Sequence, residues 1–258
     1  MSAAVKGAAA LGATAVVIGG TGVGAKFLLD AQEPNAITLT NIDANKYATD
    51  YKRYFVDDVN TSNNKWWDWV FKNRYEFDKN DSSDKRHTFL DKFKDLTSGS
   101  GNAKSLKKVC GAVYKEVTSN VVDKSSATSE SNKYSEQDVW RYCSVFGNKP
   151  KTIQEANTNN AIAAGKYGKD KETSLIDVDS PENNLFWEKQ EKDFFGDSGL
   201  GVAAQGSSIF KTLHTKTNRG KKDTVKETCR EAYQKDKTQD ASAFPEADVL
   251  KFCSLKGK

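Results

Sequence analysis

Three stretches of this chain occur twice, in the same order. "NNKWWD" at 63–68 returns as "NNLFWE" at 183–188, "LKKVCGAVY" at 106–114 as "VKETCREAY" at 225–233, and "YSEQDVWRYCSVFG" at 134–147 as "FPEADVLKFCSLKG" at 244–257. In the last pair Glu136, Asp138, Val139, Cys143, Ser144 and Gly147 recur as Glu246, Asp248, Val249, Cys253, Ser254 and Gly257. Such a repeat means one small unit used twice, so the fold of one copy constrains the other. We expect a mainly α chain. An N-terminal signal peptide or membrane anchor, 1–30, precedes two tandem homologous small helical modules, 46–148 and 176–258. A polar linker, 149–175, joins them, with one short helix around 151–164.

Each copy reads as helical. In "WWDWVFKNRYEF", Trp66, Trp69 and Val70 share one side, with Trp67, Phe71 and Tyr75 beside it. This broad aromatic face suits a core helix. Phe89, Phe93 and Leu96 stand four and three apart, the spacing of another helix. Leu106, Val109, Cys110, Val113 and Val117 form an apolar stripe. Ser135 and Asp138 are spaced as a helix cap and its third residue. Pro245 suits a first helical turn, and Gly147 and Gly257 suit helix stops. No sustained alternation of apolar and polar residues marks a long strand.

The four cysteines, Cys110, Cys143, Cys229 and Cys253, occupy matching positions in the two copies. Four cysteines allow three pairings. The repeat favours one intramodule disulfide in each copy, Cys110–Cys143 and Cys229–Cys253; free thiols packed between helices are the alternative. Each bridge would add about 3–4 kcal/mol by the chain-entropy estimate. Disulfides persist in oxidising compartments, which directs attention to the N-terminus.

There, "VVIGGTGVGAKFLLD" at 16–30 has three readings. A phosphate-binding loop needs G-x-x-x-x-G-K-[ST]. Gly19 and Gly24 fit, but Ala25 follows, Lys26 comes one position late, and Phe27 cannot bind a metal. Gly20, Gly22 and Ala25 fit a loose dinucleotide fingerprint, with Asp43 at the distance of its ribose-binding acid. The apolar run, however, reaches back to Gly7 without a turn, and no later apolar strands follow. The uncharged run from Gly7 to Ala25 is about 28 Å long as a helix, close to a bilayer's hydrocarbon core. An export signal or anchor uses the whole stretch, with a small-residue cleavage site at Val23–Ala25 or Leu29–Ala31.

The rest of the chain shows no catalytic signature. Two histidines offer few general bases, and neither G-x-S-x-G nor H-E-x-x-H occurs. The cysteines lack C-x-x-C spacing, so no metal or other cofactor is expected. Net charge is +4, from 39 basic and 35 acidic residues. Mean hydropathy is −0.71. This is a mixed, solvated surface, without the basic footprint of a nucleic-acid binder. Trp66, Trp67, Trp69 and Trp187 could stack on a sugar or a base. Core packing is the favoured reading, because Phe186 and Trp187 stand where Trp66 and Trp67 do.

The "MSAAVKGAAALGA" opening, the Gly/Ala-rich apolar stretch, the lysine-rich body and the Y/F-C-S block ends resemble a known group. They are similar to the paralogous uncharacterised proteins of haemotropic mycoplasmas. The resemblance implies a surface-exposed, antigenically variable protein in a parasite that attaches to red blood cells, and it implies no catalytic residues. We therefore expect an exported protein, anchored on the extracellular face of the cell membrane through its N-terminal helix, or secreted. It would act as an antigen or host-contact protein towards host cell surfaces or serum proteins, not as an enzyme. The alternatives are a glycan or small-ligand binder built on the tryptophans and an intracellular dinucleotide-binding enzyme.

Overall fold

The computed structural model describes residues 32–81, 89, 92–101, 103–122, 133–158, 162–196 and 198–257. The expected N-terminal signal or membrane helix lies outside the described residues. Among those described, the chain is mainly helical with two disulfides. No described helix is long and apolar enough to cross a membrane.

The first half opens with an extended segment. The Asp57 amide donates to the Ile37 carbonyl at 2.9 Å, and the Leu39 amide to Phe55 at 2.9 Å. Asn63, fully buried, clamps this segment. Its Oδ1 accepts from the Ile37 amide at 2.8 Å, and its Nδ2 donates to the carbonyls of Ile37 and Asp57 at 2.9 and 2.8 Å. Only a side-chain amide both accepts from and donates to one backbone position in this way. Helix α1 (Asn64–Val70) follows and buries Trp66, Trp67 and Val70. It runs through a π-helical turn, Phe71–Tyr75, into α2 (Glu76–Asn80). Helix α3 (Leu106–Tyr114) is capped by Ser105, and α4 (Glu136–Cys143) by Ser135, which accepts from the Asp138 amide as its spacing implies. Two short strands, β1 (Val121–Val122) and β2 (Tyr134–Ser135), pair in parallel just ahead of α4.

The second half repeats these bonds. Asp177 donates to the Lys151 carbonyl at 3.0 Å and Ile153 to Leu175 at 2.9 Å. Asn183 takes the Lys151 amide at 2.8 Å and donates to Lys151 and Asp177 at 2.9 and 2.8 Å. Helices α5 (Ile153–Ala156) and α6 (Tyr167–Asp170) precede α7 (Asn184–Phe194), α8 (Ile209–Thr215), α9 (Val225–Tyr233) and α10 (Glu246–Cys253). The Tyr114 hydroxyl donates to Val56 at 2.9 Å, as the Tyr233 hydroxyl does to Ile176 at 2.7 Å.

Residues 149–175, expected as a linker, are built into this frame. Thr152 caps α5 with a reciprocal Glu155 contact, and Ile153, Tyr167 and Leu175 are buried. Their backbone pairing supplies the extended segment that Asn183 clamps, as residues before 46 do for Asn63. Three further expectations shift. The described residues around Phe93 form a turn, not a helix, because the Tyr75 hydroxyl donates to Phe93 O at 2.9 Å and accepts from the Leu96 amide at 3.0 Å. Pro245 is the N-cap of α10, one residue ahead of the first turn. Gly147 and Gly257 lie beyond the helix ends, at φ +73° and +67°, where glycine carries no Cβ penalty.

The halves dock through an aromatic seam. The ring of Tyr54 lies 5.2 Å from Phe146 and 6.0 Å from Phe186. Beside it Arg53 donates to Gln190 Oε1 at 2.7 Å and to Asp193 Oδ2 at 2.9 Å.

Candidate functional site

The cysteines lie where two helices of the same half face each other. Cys110 of α3 joins Cys143 of α4, with Cα atoms 5.6 Å apart, and Cys229 of α9 joins Cys253 of α10 at 5.8 Å. All four are fully buried. The backbone around them is tied down too: the Val56 amide donates to Cys143 O at 3.0 Å and the Ile176 amide to Cys253 O at 2.9 Å.

The tryptophans do not form a stacking platform. Trp66, Trp67 and Trp187 are 1%, 0% and 4% exposed, so neither a sugar nor a base reaches their faces. Trp66 and Trp67 meet edge to face at 4.8 Å, as Phe186 and Trp187 do. Trp66 Nε1 donates to Glu33 at 2.8 Å and Trp187 Nε1 to Asp177 O at 3.1 Å. Trp69 is half-buried, and the Arg74 guanidinium sits over its ring at 5.5 Å. An α-helix must turn its apolar side inward to fold at all, and here that need takes the aromatic face.

Arg74 centres a cluster the sequence does not announce. It donates to Ser144 O at 3.0 Å and to both carboxylate oxygens of Glu33, at 3.1 and 3.2 Å. Burial pushes its pKa down, and the Glu33 carboxylate opposes that shift. Next to it, Arg141 makes two bonds to Asp78, at 2.8 and 2.9 Å, and the Tyr142 hydroxyl donates to Asp78 at 2.7 Å. The salt-bridged pairs satisfy one another.

Asp43 lies in a loop, where its backbone carbonyl accepts from Thr49 Oγ1 at 2.8 Å. The Gly20–Ala25 stretch and His87 lie outside the described residues. The His214 ring stacks on Phe195 at 6.3 Å, next to Phe194 at 5.7 Å. Among the described residues no group of His, Cys, Asp and Glu could hold a metal ion.

A concave surface lies open among the described residues. It is a groove of about 530 Å³ between α8 and α9, floored by Ile209 and Leu213. Thr212, Thr228 and Gln234 line it, with Lys216 and Lys222 and the acids Asp223, Glu227 and Glu231. The segment leading from α8 into α9 is "KTNRGKKDTVK", 216–226, whose last two residues open α9. Asp223 organises it, binding Lys216 Nζ at 2.8 Å and the Gly220 amide at 2.6 Å, and those two contacts lower its pKa. The Arg219 guanidinium covers the Phe195 ring at 3.5 Å. The density of lysine in 216–226 was the sequence signal for this surface; the groove itself depends on how α8 and α9 cross. Neither family models, curated proteins nor solved structures match the chain.

Proposed function

We propose that the chain is an exported protein of the cell surface, tethered by its N-terminal segment or released, built from two copies of one disulfide-stapled helical module. Its role on this reading is contact with a host, as an antigen or adhesive surface, without catalysis. The buried cystine in each half carries the proposal. Two helices locked by an inaccessible disulfide suit an oxidising compartment, where such bonds form and persist. The recurring Asn clamp and tyrosine bonds support the two-copy reading. The likeness of the N-terminal stretch and cysteine blocks to haemotropic mycoplasma proteins supports the surface role.

The test is thiol trapping in living cells. Cells are quenched with acid, free thiols are alkylated under denaturing conditions, and the remainder are labelled after reduction. The expected result is label on all four cysteines only after reduction. Alkylation before reduction would overturn the exported reading. Trypsin applied to intact cells gives a second readout, with cleavage expected first in the exposed loop at Lys221 and Lys222.

A further inference from the structure

We propose that the groove between α8 and α9, with loop 216–226 at its mouth, binds an acidic saccharide, carboxylated or sulfated. It gives the contact role a site, but rests on that role only for its biological sense.

Charge is the first support. The segment 216–226 holds five cations, Lys216, Arg219, Lys221, Lys222 and, in the first turn of α9, Lys226, against the single acid Asp223. Its excess of four equals the net +4 of the whole chain, so the remainder balances. Within the groove most cations are already matched. Lys216 pairs with Asp223, Arg230 with Glu227 at 3.1 Å and with Asp179 at 2.5 Å, and Lys235 with Glu231 at 3.2 Å. Lys221 and Lys222 are exposed and have no ionic partner among the described residues. Lys222 lines the groove and Lys221 is its neighbour in the chain, so these are the charges left over for a ligand.

Shape and lining select the ligand class. A volume of about 530 Å³ is in the range of small-ligand clefts. An aliphatic floor suits the C–H face of a sugar ring. The hydroxyls of Thr212 and Thr228 donate to Ser208 O and Thr224 O, which leaves their oxygens free to accept from a sugar hydroxyl. The Gln234 side-chain amide makes no hydrogen bond among the described residues and can both donate and accept. Nucleic acid fits worse, because base stacking needs an open ring face and Arg219 covers Phe195. A membrane fits worse too, since the exposed residues of 215–222 include no apolar side chain to enter it.

The frame does not require this loop. Its counterpart in the first half, "TSGSGNAKSLK" at 97–107, carries two lysines and no acid. That loop also lies flat: a Cβ on Gly99 would come within 2.2 Å of the Trp67 carbonyl oxygen. The basic segment of the second half therefore has no counterpart of like charge in the first.

The test is calorimetric titration of full-length oxidised protein with a heparin oligosaccharide, a polysialic acid oligomer and neutral dextran. The two acidic probes are expected to bind and dextran not. Lys221→Glu/Lys222→Glu should weaken binding about tenfold, the equivalent of about 1.4 kcal/mol. Gln234→Leu, which leaves charge unchanged, should weaken it about threefold by removing one hydrogen-bonding partner. The control Lys65→Glu/Lys72→Glu, on the exposed side of α1 and its π turn, should leave it unchanged. The proposal is overturned if neither acidic probe binds, or if the control pair weakens binding as much as the loop pair. It is also overturned if duplex DNA or phosphatidylserine vesicles bind as tightly while Gln234→Leu has no effect. These outcomes are read in solution and do not depend on thiol trapping in cells, so this site and the exported reading fail separately.

Discussion

Arg74 and Phe194 hold the same place in the two halves, each the same number of residues past its clamping asparagine, yet they solve opposite problems. In the first half the inside of the helix carries a charged network: Arg74 with Glu33, and Arg141 with Asp78 and Tyr142. In the second half the same space is apolar. Phe194 meets Phe252 edge to face at 5.1 Å, and Phe210 lies 4.9 Å from Phe252. Buried ion pairs and well-packed apolar groups can be close to equal in stability, because desolvation offsets much of the ionic attraction. The backbone frame is therefore set by what both halves keep, namely the cystines, the asparagine clamps and the tyrosine hydroxyls.

If that is so, breaking a shared element should cost both halves alike. Cys110→Ser/Cys143→Ser and Cys229→Ser/Cys253→Ser should each lose about 3–4 kcal/mol in urea unfolding. The loops they close, 33 and 24 residues, are too similar to separate them. A difference above about 1 kcal/mol would mean that the stapled helix pairs are not energetically equivalent. Asn63→Ala and Asn183→Ala should each cost about 1–3 kcal/mol, since each leaves a half-buried backbone amide, Ile37 or Lys151, without its acceptor. Unequal losses would break the comparison at its centre.

Elements confined to one half should behave differently. Glu33→Gln should cost about 2 kcal/mol, since it leaves the Arg74 charge buried without its counter-ion. Adding Arg74→Leu should recover most of that loss, moving the first half towards the second half's apolar solution; a further loss instead would show that the ion pair is required. Alkali should sharpen the contrast. Burial raises Tyr47, Tyr51, Tyr54, Tyr75, Tyr114, Tyr134 and Tyr142 in the first half, against Tyr167 and Tyr233 in the second. A phenol whose folded pKa is raised contributes full stability below its unfolded value near 10 and loses it as pH rises through the folded value. Tyr54, pushed up to about 12, should withdraw about 1–2 kcal/mol by pH 11. Helix loss and tyrosinate absorbance should then rise together above pH 10. Tyr54→Phe should remove that share while leaving stability at neutral pH unchanged or slightly higher, because the Tyr54 hydroxyl has no hydrogen-bond partner among the described residues.

Helix identity around the cysteines was readable because cysteines and aromatics at helical spacing have few other uses. The disulfide pairing followed from the repeat. The front of each half was not readable in this way. Tyr47 and Tyr167, Asp57 and Asp177, and Asn63 and Asn183 recur at a constant spacing, but the residues between them are polar and varied, so 149–175 looked like a linker. Nor does any pattern disclose that Asn63 is fully buried. A side-chain amide reads as surface until the extended strand it clamps is known, and that strand lies far away in sequence. Phe93 and Leu96 mislead by their spacing, because a tyrosine hydroxyl from another segment supplies the bonds a helix would have made. Trp66, Trp67 and Trp187 lie in the core, whereas Trp69 is half-buried. The groove was missed because a lysine-rich loop says nothing of the helices under it.

The two cystines also govern how the protein answers to being pulled. A chain tugged from its ends lengthens only by feeding out backbone that lies outside covalent loops. The spans closed by Cys110–Cys143 and Cys229–Cys253 hold 33 and 24 residues, or about 115 Å and 85 Å of extended backbone that tension cannot release. Under flow a molecule so looped yields a shorter extension than its length implies, and the helix pairs nearest each bridge keep their shape when the rest has been drawn out.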